Sequence, residues 1–169
     1  MNRPILRLLD ILIIIAFFGL LYILIRPQYE EIKVSTKERA LHSNMFTVKA
    51  AIERYRAFND GEIPLSMDDI YSNIEALEVP ENPYTMSKIT VSDLSKFYYE
   101  VPSMIEDVDT SGYHSDKVGN PGEISIGYYI TTPEKADTVA RRYALISFNK
   151  EGKPLTVKEG EKERIIVLE

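Results

Sequence analysis

The stretch that decides the fold runs from Leu8 to Tyr29 and reads LLDILIIIAFFGLLYILIRPQY. It is apolar and uncharged from Ile11 to Ile25, with one aspartate, Asp10, near its start and one proline, Pro27, near its end. A carboxylate at the edge of hydrocarbon is costly, and a proline inside a helix removes a backbone hydrogen-bond donor. We therefore expect a membrane helix that does more than anchor the chain.

Two interpretations of this run compete, an uncleaved anchor and a secretory signal peptide. The uncharged segment is shorter than the roughly 20 residues that span a bilayer, but Leu8, Leu9 and a tolerated Asp10 bring it close to that length. A signal peptide would have a shorter core followed by small residues at a cleavage site, whereas RPQY follows here at 26–29. We favour a single-pass anchor, and the short N-terminal flank favours a cytoplasmic N-terminus.

Composition narrows the class of function. The chain has 169 residues and no cysteine, so disulfides and cysteine-based metal sites are excluded. From Gln28 onward it has 17 Lys or Arg and 25 Asp or Glu residues, a formal charge of −8. Because no basic patch is evident, we expect no nucleic-acid partner. No serine lies in a Gly-x-Ser-x-Gly frame, and we expect a protein that is not an enzyme.

Helical periodicity continues beyond the apolar run. An apolar stripe repeats every three or four residues, which is typical of one face of a helix; it consists of Leu41, Met45, Val48, Ile52 and Tyr55. The sequence Asn59-Asp60-Gly61 is a stop signal. The pattern predicts one helix from about residue 4 to 58, roughly 80 Å long. The alternative is a break at Pro27, with a second helix starting near Glu30.

Shorter elements follow. Ser66 is a candidate N-cap, with Asp69 three residues on, for a helix over 67–77, and Pro80 and Pro83 indicate a loop. A strand is possible at 96–101 and an acidic loop follows over 106–122, before the strands predicted at 123–131, 142–149, 153–157 and 164–168. We predict an α+β fold in which a long N-terminal helix, half of it transmembrane, packs on a small antiparallel β-sheet.

The predicted organisation has two parts. Residues 1–27 form a transmembrane and assembly helix. Residues 28–169 form an extracytoplasmic domain with an amphipathic helix over 30–58, a loop region over 59–122 and a sheet over 123–169.

The chain resembles the type IV pilin superfamily, and within it the pseudopilins of type II secretion. The resemblance rests on the apolar helix with Asp10 near its start and with Pro27-Gln28-Tyr29 at 17 positions from that acid. It continues through the amphipathic helix to Asn59-Asp60-Gly61 with Ile63-Pro64, and to Asn82-Pro83-Tyr84-Thr85. It covers roughly residues 6–85, and the sheet region is similar only in type.

The resemblance implies a structural subunit of a filament in a secretion or type IV pilus-type system. Its partners would be other pilin-like subunits, an inner-membrane assembly platform and membrane lipid, and its location the bacterial inner membrane with the C-terminal domain outside the cytoplasm. The family's leader ends in glycine, whereas Ile5 stands at that position here. This departure favours the alternative, a single-pass protein whose domain binds a partner or ligand and does not polymerise.

Three residues are candidates for assembly: Asp10, Arg7 and Pro27. A buried carboxylate needs a cation or donors, and in a bundle Asp10 would meet the amine or Arg7 of a neighbour. The alternative is an Arg7–Asp10 pair within one helix at i, i+3. Pro27 either allows the helix to open locally during packing or only kinks it.

The acidic loop contains Asp107-Val108-Asp109-Thr110-Ser111-Gly112 and then Asp116. This spacing matches the start of an oxygen-ligand calcium loop, and major pseudopilins have a calcium site in a sheet loop. Asp107, Asp109 and Asp116 are therefore candidate calcium ligands. A solvated acidic loop is the favoured alternative, because Val118 stands where the closing acid is expected. His114 with the same aspartates is a weaker candidate for a transition metal.

Overall fold

The computed structural model describes residues 3–100, 116–130, 142–159 and 162–168. It comprises two compact units, Met1–Lys37 and Glu38–Glu169. The predicted boundary after residue 27 refers to the membrane surface and stays a prediction.

A single long helix, α1, runs from Arg3 to Phe58 and includes Pro27. The single-helix prediction is confirmed, and α1 is not divided at the proline. The helix ends at the predicted stop signal, where the Gly61 amide caps the C-terminus by donating to the Arg56 carbonyl at 2.9 Å. Asp60 and Gly61 reach this turn with φ of 50° and 85°, the left-handed region in which helices commonly end.

Short elements follow α1. The other helical elements of the described residues are α2 (Met67–Glu75) and a 3₁₀ turn (Val91–Asp93). Their strands are β1 (Glu81–Asn82), β2 (Ser87–Lys88), β3 (Leu94–Glu100), β4 (Ile124–Ile130), β5 (Arg142–Ser147), β6 (Thr156–Glu159) and β7 (Lys162–Ile165). Ser66 caps α2 as predicted, its side chain accepting from the Asp68 amide. The predicted loop after Pro80 contains a small antiparallel hairpin of β1 and β2.

The α+β class is confirmed, but the central sheet is mixed rather than purely antiparallel. Its order is β3-β4-β5. β3 pairs parallel with β4, with Leu94 opposite Ile124, and β4 pairs antiparallel with β5, with Ile124 opposite Ser147. Parallel neighbours need a crossover of a dozen or more residues. The 23 residues between β3 and β4 are enough for such a connection.

The second half of α1 packs on one face of this sheet. The predicted stripe provides four side chains that are completely buried, Leu41, Met45, Val48 and Ile52. They belong to one core cluster with the inward side chains of the sheet, which are Leu94, Ile124, Ile126, Tyr128, Tyr143 and Leu145. The Ser147 hydroxyl lies 3.1 Å from the Met45 sulfur. The predicted packing of helix on sheet is confirmed.

β5 is buried on both of its faces. Tyr143, Leu145 and Ser147 share the inner face, and Ala144 and Ile146 on the outer face are also fully buried. The outer face is covered in part by the segment before β4, where the Lys117 ammonium lies 5.3 Å from the centre of the Phe97 ring. A strand buried on both faces loses the polar alternation of a half-exposed one.

One hydroxyl of β4 is buried without a hydrogen-bond partner among the residues that the structure describes. It belongs to Ser125, which is fully buried. Ser125→Ala is therefore expected to raise the free energy of unfolding by about 1 kcal/mol, because the desolvated hydroxyl is removed. Ser147→Ala is the matched control, since it deletes a hydroxyl in contact with the Met45 sulfur. Unfolding of the full chain in mild detergent measures both, and a lower stability for Ser125→Ala would contradict the prediction.

Candidate functional site

The apolar part of α1 is almost entirely exposed. From 11 to 25 every side chain is exposed except that of Leu21, which is intermediate, and Ile23 reaches 71 %. The most apolar 18-residue window has a mean hydropathy of 2.1 and none of it is buried. This helix is long enough and apolar enough to cross a membrane, and no other helix of the described residues is.

The predicted assembly residues lie at the two ends of this segment. Asp10 and Pro27 are 17 residues apart in one helix, an axial distance of about 26 Å. That is close to the roughly 30 Å thickness of a bilayer's hydrocarbon core. The side chains of Arg7 and Asp10 are outside what the structure describes, so their pairing stays a prediction. At Pro27 the helix lacks one donor, and the Ile23 carbonyl loses its i+4 partner.

Aromatic side chains accompany the C-terminal end of the apolar segment. The Arg26 guanidinium lies 5.9 Å from the centre of the Tyr22 ring, and Tyr29 is 62 % exposed. Tyrosine and arginine near the end of a membrane helix are typical of the interface with water. The Tyr22–Arg26 pair was not among the predicted features, although its i, i+4 spacing on a helix is a usable signal for such a contact.

Asn82, from the motif that carries the pilin resemblance, is a structural centre of the domain. It is 1 % exposed. Its side-chain amide donates to the Pro121 carbonyl at 3.1 Å and to Asp93 Oδ1 at 3.4 Å, while its Oδ1 accepts from the Tyr84 amide at 2.9 Å. One side chain thus fixes the β1–β2 hairpin, the start of β3 and the approach to β4. We name this group of contacts the Asn82 junction.

The hairpin of the Asn82 junction is also attached to α1. The Asn44 side-chain amide donates to the Glu81 carbonyl at 2.8 Å, and Asn44 is buried. An amide on the otherwise apolar stripe therefore satisfies a backbone acceptor that the hairpin leaves unpaired. The motif after Pro80 has a demonstrable role in positioning the hairpin between helix and sheet.

The calcium prediction is only partly within the described residues. Asp107, Asp109 and His114 lie outside them. Asp116 is exposed, and its Oδ1 lies 3.8 Å from the Lys117 ammonium. Among the residues that the structure describes, no three acidic or histidine side chains form a group able to hold a metal ion. The calcium site stays a prediction for the three aspartates together.

A cleft of about 500 Å³ lies between Asp116–Val118, the Asn149–Pro154 turn and the strands β6 and β7. Its charged side chains are arranged as neighbouring opposite charges: Lys117 faces Asp116, and the Lys153 ammonium lies 3.5 Å from a Glu151 carboxylate oxygen. Exposed pairs of this kind largely cancel and are worth little energy. They do not converge on a point where a ligand would be held.

One polar contact joins α1 to the sheet beside the core. The Tyr143 hydroxyl donates to Glu53 Oε1 at 2.6 Å, and Arg56 donates to both carboxylate oxygens of Glu53 at 3.0 Å. Partial burial by itself raises the pKa of Glu53, but the bonds from Tyr143 and Arg56 outweigh it and the pKa is lowered overall. Burial and the same bond raise the pKa of the Tyr143 hydroxyl.

Tyr143→Phe is expected to lower the free energy of unfolding by about 1 kcal/mol at pH 7, the typical net worth of one hydrogen bond. Because the pKa of Glu53 is lower in the folded state, its contribution is present above the ordinary value of 4.5 and is lost as the pH falls through the folded value. The difference between the variant and the parent should therefore shrink as the pH falls below 4.5. Tyr98→Phe is the control, and a difference independent of pH would contradict the role of Glu53.

Comparison of the chain with models of protein families, with curated proteins and with solved structures finds no match. The long apolar N-terminal helix and the small sheet on which α1 packs are compatible with a pilin-like fold.

Proposed function

We propose that this chain is a pilin-like structural subunit held by α1 in a bacterial inner membrane. Its N-terminus lies in the cytoplasm and its domain outside, and it assembles with other pilin-like subunits into a short filament of a secretion or type IV pilus-type system. An inner-membrane assembly platform and membrane lipid are its other partners. In this proposal the protein has no catalytic role.

The observation that supports this function best is the exposure of the apolar helix, in which every side chain from 11 to 25 except that of Leu21 is exposed. Side chains such as Ile15 at 66 % and Phe18 at 64 % cannot remain in water. In the unassembled subunit, membrane lipid covers these side chains. In a filament, neighbouring helices cover them. An apolar helix with exposed side chains suits both environments.

Association inside a membrane needs more than apolar surface, since lipid tails are as apolar as leucine. Small residues let helices approach, and polar groups fix their alignment. Gly19 lies in the middle of the apolar segment, and a Cβ added there would meet nothing within 4 Å. Asp10 supplies a carboxylate at one depth, and Arg7 or the terminal amine of a neighbour supplies the cation.

Cysteine crosslinking tests the proposal, because the chain has no cysteine of its own. Single cysteines placed along 11–25 in the full chain should crosslink with helical periodicity in membranes that resist carbonate extraction. Ser72→Cys, on the exposed side of α2, is the control. Release of the chain by carbonate would contradict the anchor, and uniform or absent crosslinking would contradict the assembly.

A protein that spans the membrane once and binds a partner through its domain without polymerising is the second candidate. It is favoured by Ile5 at the position where the resemblance calls for the cleavage glycine. A carbonate-resistant chain without periodic helix crosslinks would support this candidate instead.

A further inference from the structure

A second stripe on α1 faces away from the core. Its residues recur every three or four positions, the spacing of one helix face, and all of them are exposed; they are Arg39, Ser43, Phe46, Ala50, Arg54 and Ala57. Neither arginine forms an ion pair within the described ranges. The neighbouring carboxylate of Glu53 is already bonded to Tyr143 and Arg56. We name this surface the arginine stripe.

The chain changes its charge directly after α1. From Ala57 to Ser87 it has seven acidic residues and no lysine or arginine. The acids on α2, which are Asp68, Asp69 and Glu75, are all exposed, and among the residues that the structure describes none of their carboxylates is in an ion pair. We name the side of α2 formed by these acids and the exposed Ser72 the acidic face.

α2 runs in the opposite direction to α1. Just before α2, the Pro64 carbonyl accepts from the Tyr128 hydroxyl at 2.6 Å, and the tyrosine opposite Tyr128 in the sheet donates to Glu53. After α2 the chain has returned to Asn44, whose side chain donates to the Glu81 carbonyl. The N-terminal end of α2 therefore lies near the level of Glu53, and its C-terminal end lies closer to the level of Asn44.

We propose that the acidic face of one copy of this chain packs across the arginine stripe of a second copy in the same membrane. The inference rests on the proposed assembly and names the domain surfaces through which neighbours meet. α2 has nine residues, a length of about 14 Å, and fits between two arginines that are about 22 Å apart along α1. With the α1 helices parallel, Asp68 and Asp69 lie toward Arg54, and Glu75 lies toward Arg39.

The two surfaces are different, so the contact needs no two-fold axis. A rotation about an axis parallel to α1, combined with a shift along it, relates the two copies. This operation leaves all α1 helices pointing the same way, as anchoring in one membrane requires. A contact between unlike surfaces repeats from copy to copy and generates a ring or a helical filament, which agrees with the proposed assembly.

The composition of the arginine stripe suits a contact with another helix. Phe46 is 50 % exposed in its middle, and aromatic residues and arginine are enriched at interfaces between proteins. The small side chains of Ser43 and Ala50 on either side of Phe46 let a helix approach. Opposite charges then select the partner and align it, which is the main effect of charge at an interface.

Crosslinking between differently tagged copies of the full chain tests the contact in membranes. The stripe copy carries Ala50→Cys and the α2 copy carries Ser72→Cys. Packed helices are about 8–10 Å apart, so a short bifunctional thiol reagent should join the two copies. Either variant alone should give little dimer, because like surfaces do not meet. The stripe copy with Val118→Cys is the matched control, since Val118 is 74 % exposed outside both surfaces.

Charge reversal tests the alignment. Adding Arg54→Glu to the stripe copy should lower the yield of crosslinked dimer about tenfold, because it places like charges opposite each other at the N-terminal end of α2. Adding Asp68→Arg to the α2 copy should then restore the yield. Adding Glu75→Arg instead should not restore it, because Glu75 lies at the other end of α2.

Three results would overturn the proposal even if a crosslink forms. They are a control crosslink to Val118→Cys as strong as that to Ser72→Cys, a yield that charge reversal leaves unchanged, and rescue by Glu75→Arg in place of Asp68→Arg. Loss of the domain crosslink while the periodic crosslinks along 11–25 are present would refute this contact alone. Loss of both would refute the assembly on which it rests.

Discussion

Gly122→Ala is expected to lower the free energy of unfolding by about 3–4 kcal/mol, because a backbone cost and a steric cost add at this position. Gly122 has φ of +84°, where a side chain costs about 1–2 kcal/mol. An added Cβ would also press on the side-chain amide of Asn82. Because Asn82 is buried and bonded on three sides, it cannot move without leaving buried polar groups unpaired, at about 1–3 kcal/mol.

Gly61→Ala is a matched control, since Gly61 has φ of +85° and open space around the position of a Cβ. It should show the backbone cost alone. The difference between the two variants then measures the Asn82 junction, in chemical unfolding of the full chain in detergent. Equal effects would mean that the junction yields easily. A strong coupling between Gly122→Ala and Asn82→Ala in a double-mutant cycle would confirm that both act on one contact.

Features set by neighbouring residues were predictable from the sequence. The stripe from Leu41 to Ile52 fixes the buried side of α1 by its period alone, and the end at Asn59-Asp60-Gly61 and the Ser66 cap are short-range hydrogen-bond patterns. The strands β4 and β5 were recognised by their β-branched and aromatic residues. In each of these elements local preference and tertiary packing agree.

Features that depend on distant residues were not predictable in the same way. The parallel pairing of β3 with β4 is decided by the path of the chain between them, which no periodicity records. Burial of Ala144 and Ile146 depends on what covers the outer face. The contacts of Asn82 with Pro121 and Gly122 join positions about 40 residues apart, so the motif was visible in the sequence and its partners were not.

In the candidate site, too, features set by neighbouring residues were predictable and features that depend on distant residues were not. Exposure of the apolar helix follows from an uncharged run that has no polar side to turn outward, so a membrane or assembly surface could be predicted directly. The Tyr143–Glu53 contact could not be predicted without knowing how the sheet packs on α1. For the calcium ligands, Asp107 and Asp109 lie outside the described residues, and the exposure of Asp116 alone decides nothing about them.

Asp10→Ala should abolish specific association between helices while leaving the domain as stable as before. Asp10 belongs to the compact unit Met1–Lys37, whereas the core cluster belongs to Glu38–Glu169. In a bundle of like helices, a slip along the axis moves a carboxylate away from its cation into apolar surroundings. That costs about 3 kcal/mol, equivalent to roughly a 100-fold preference for the aligned arrangement. Without the carboxylate this preference disappears.

Two further variants of Asp10 distinguish an effect of its charge from an effect of its size. Asp10→Glu keeps the charge and should retain the periodic crosslinks along 11–25, whereas Asp10→Asn keeps the size and should lose most of them. Arg7→Gln should resemble Asp10→Asn if Arg7 of a neighbour is the cation, and should leave the crosslinks intact if the terminal amine is. A pair within one helix would instead leave crosslinks between chains unchanged in all four variants. In that event the carboxylate has no role in alignment, and the single-pass binding protein becomes the better proposal.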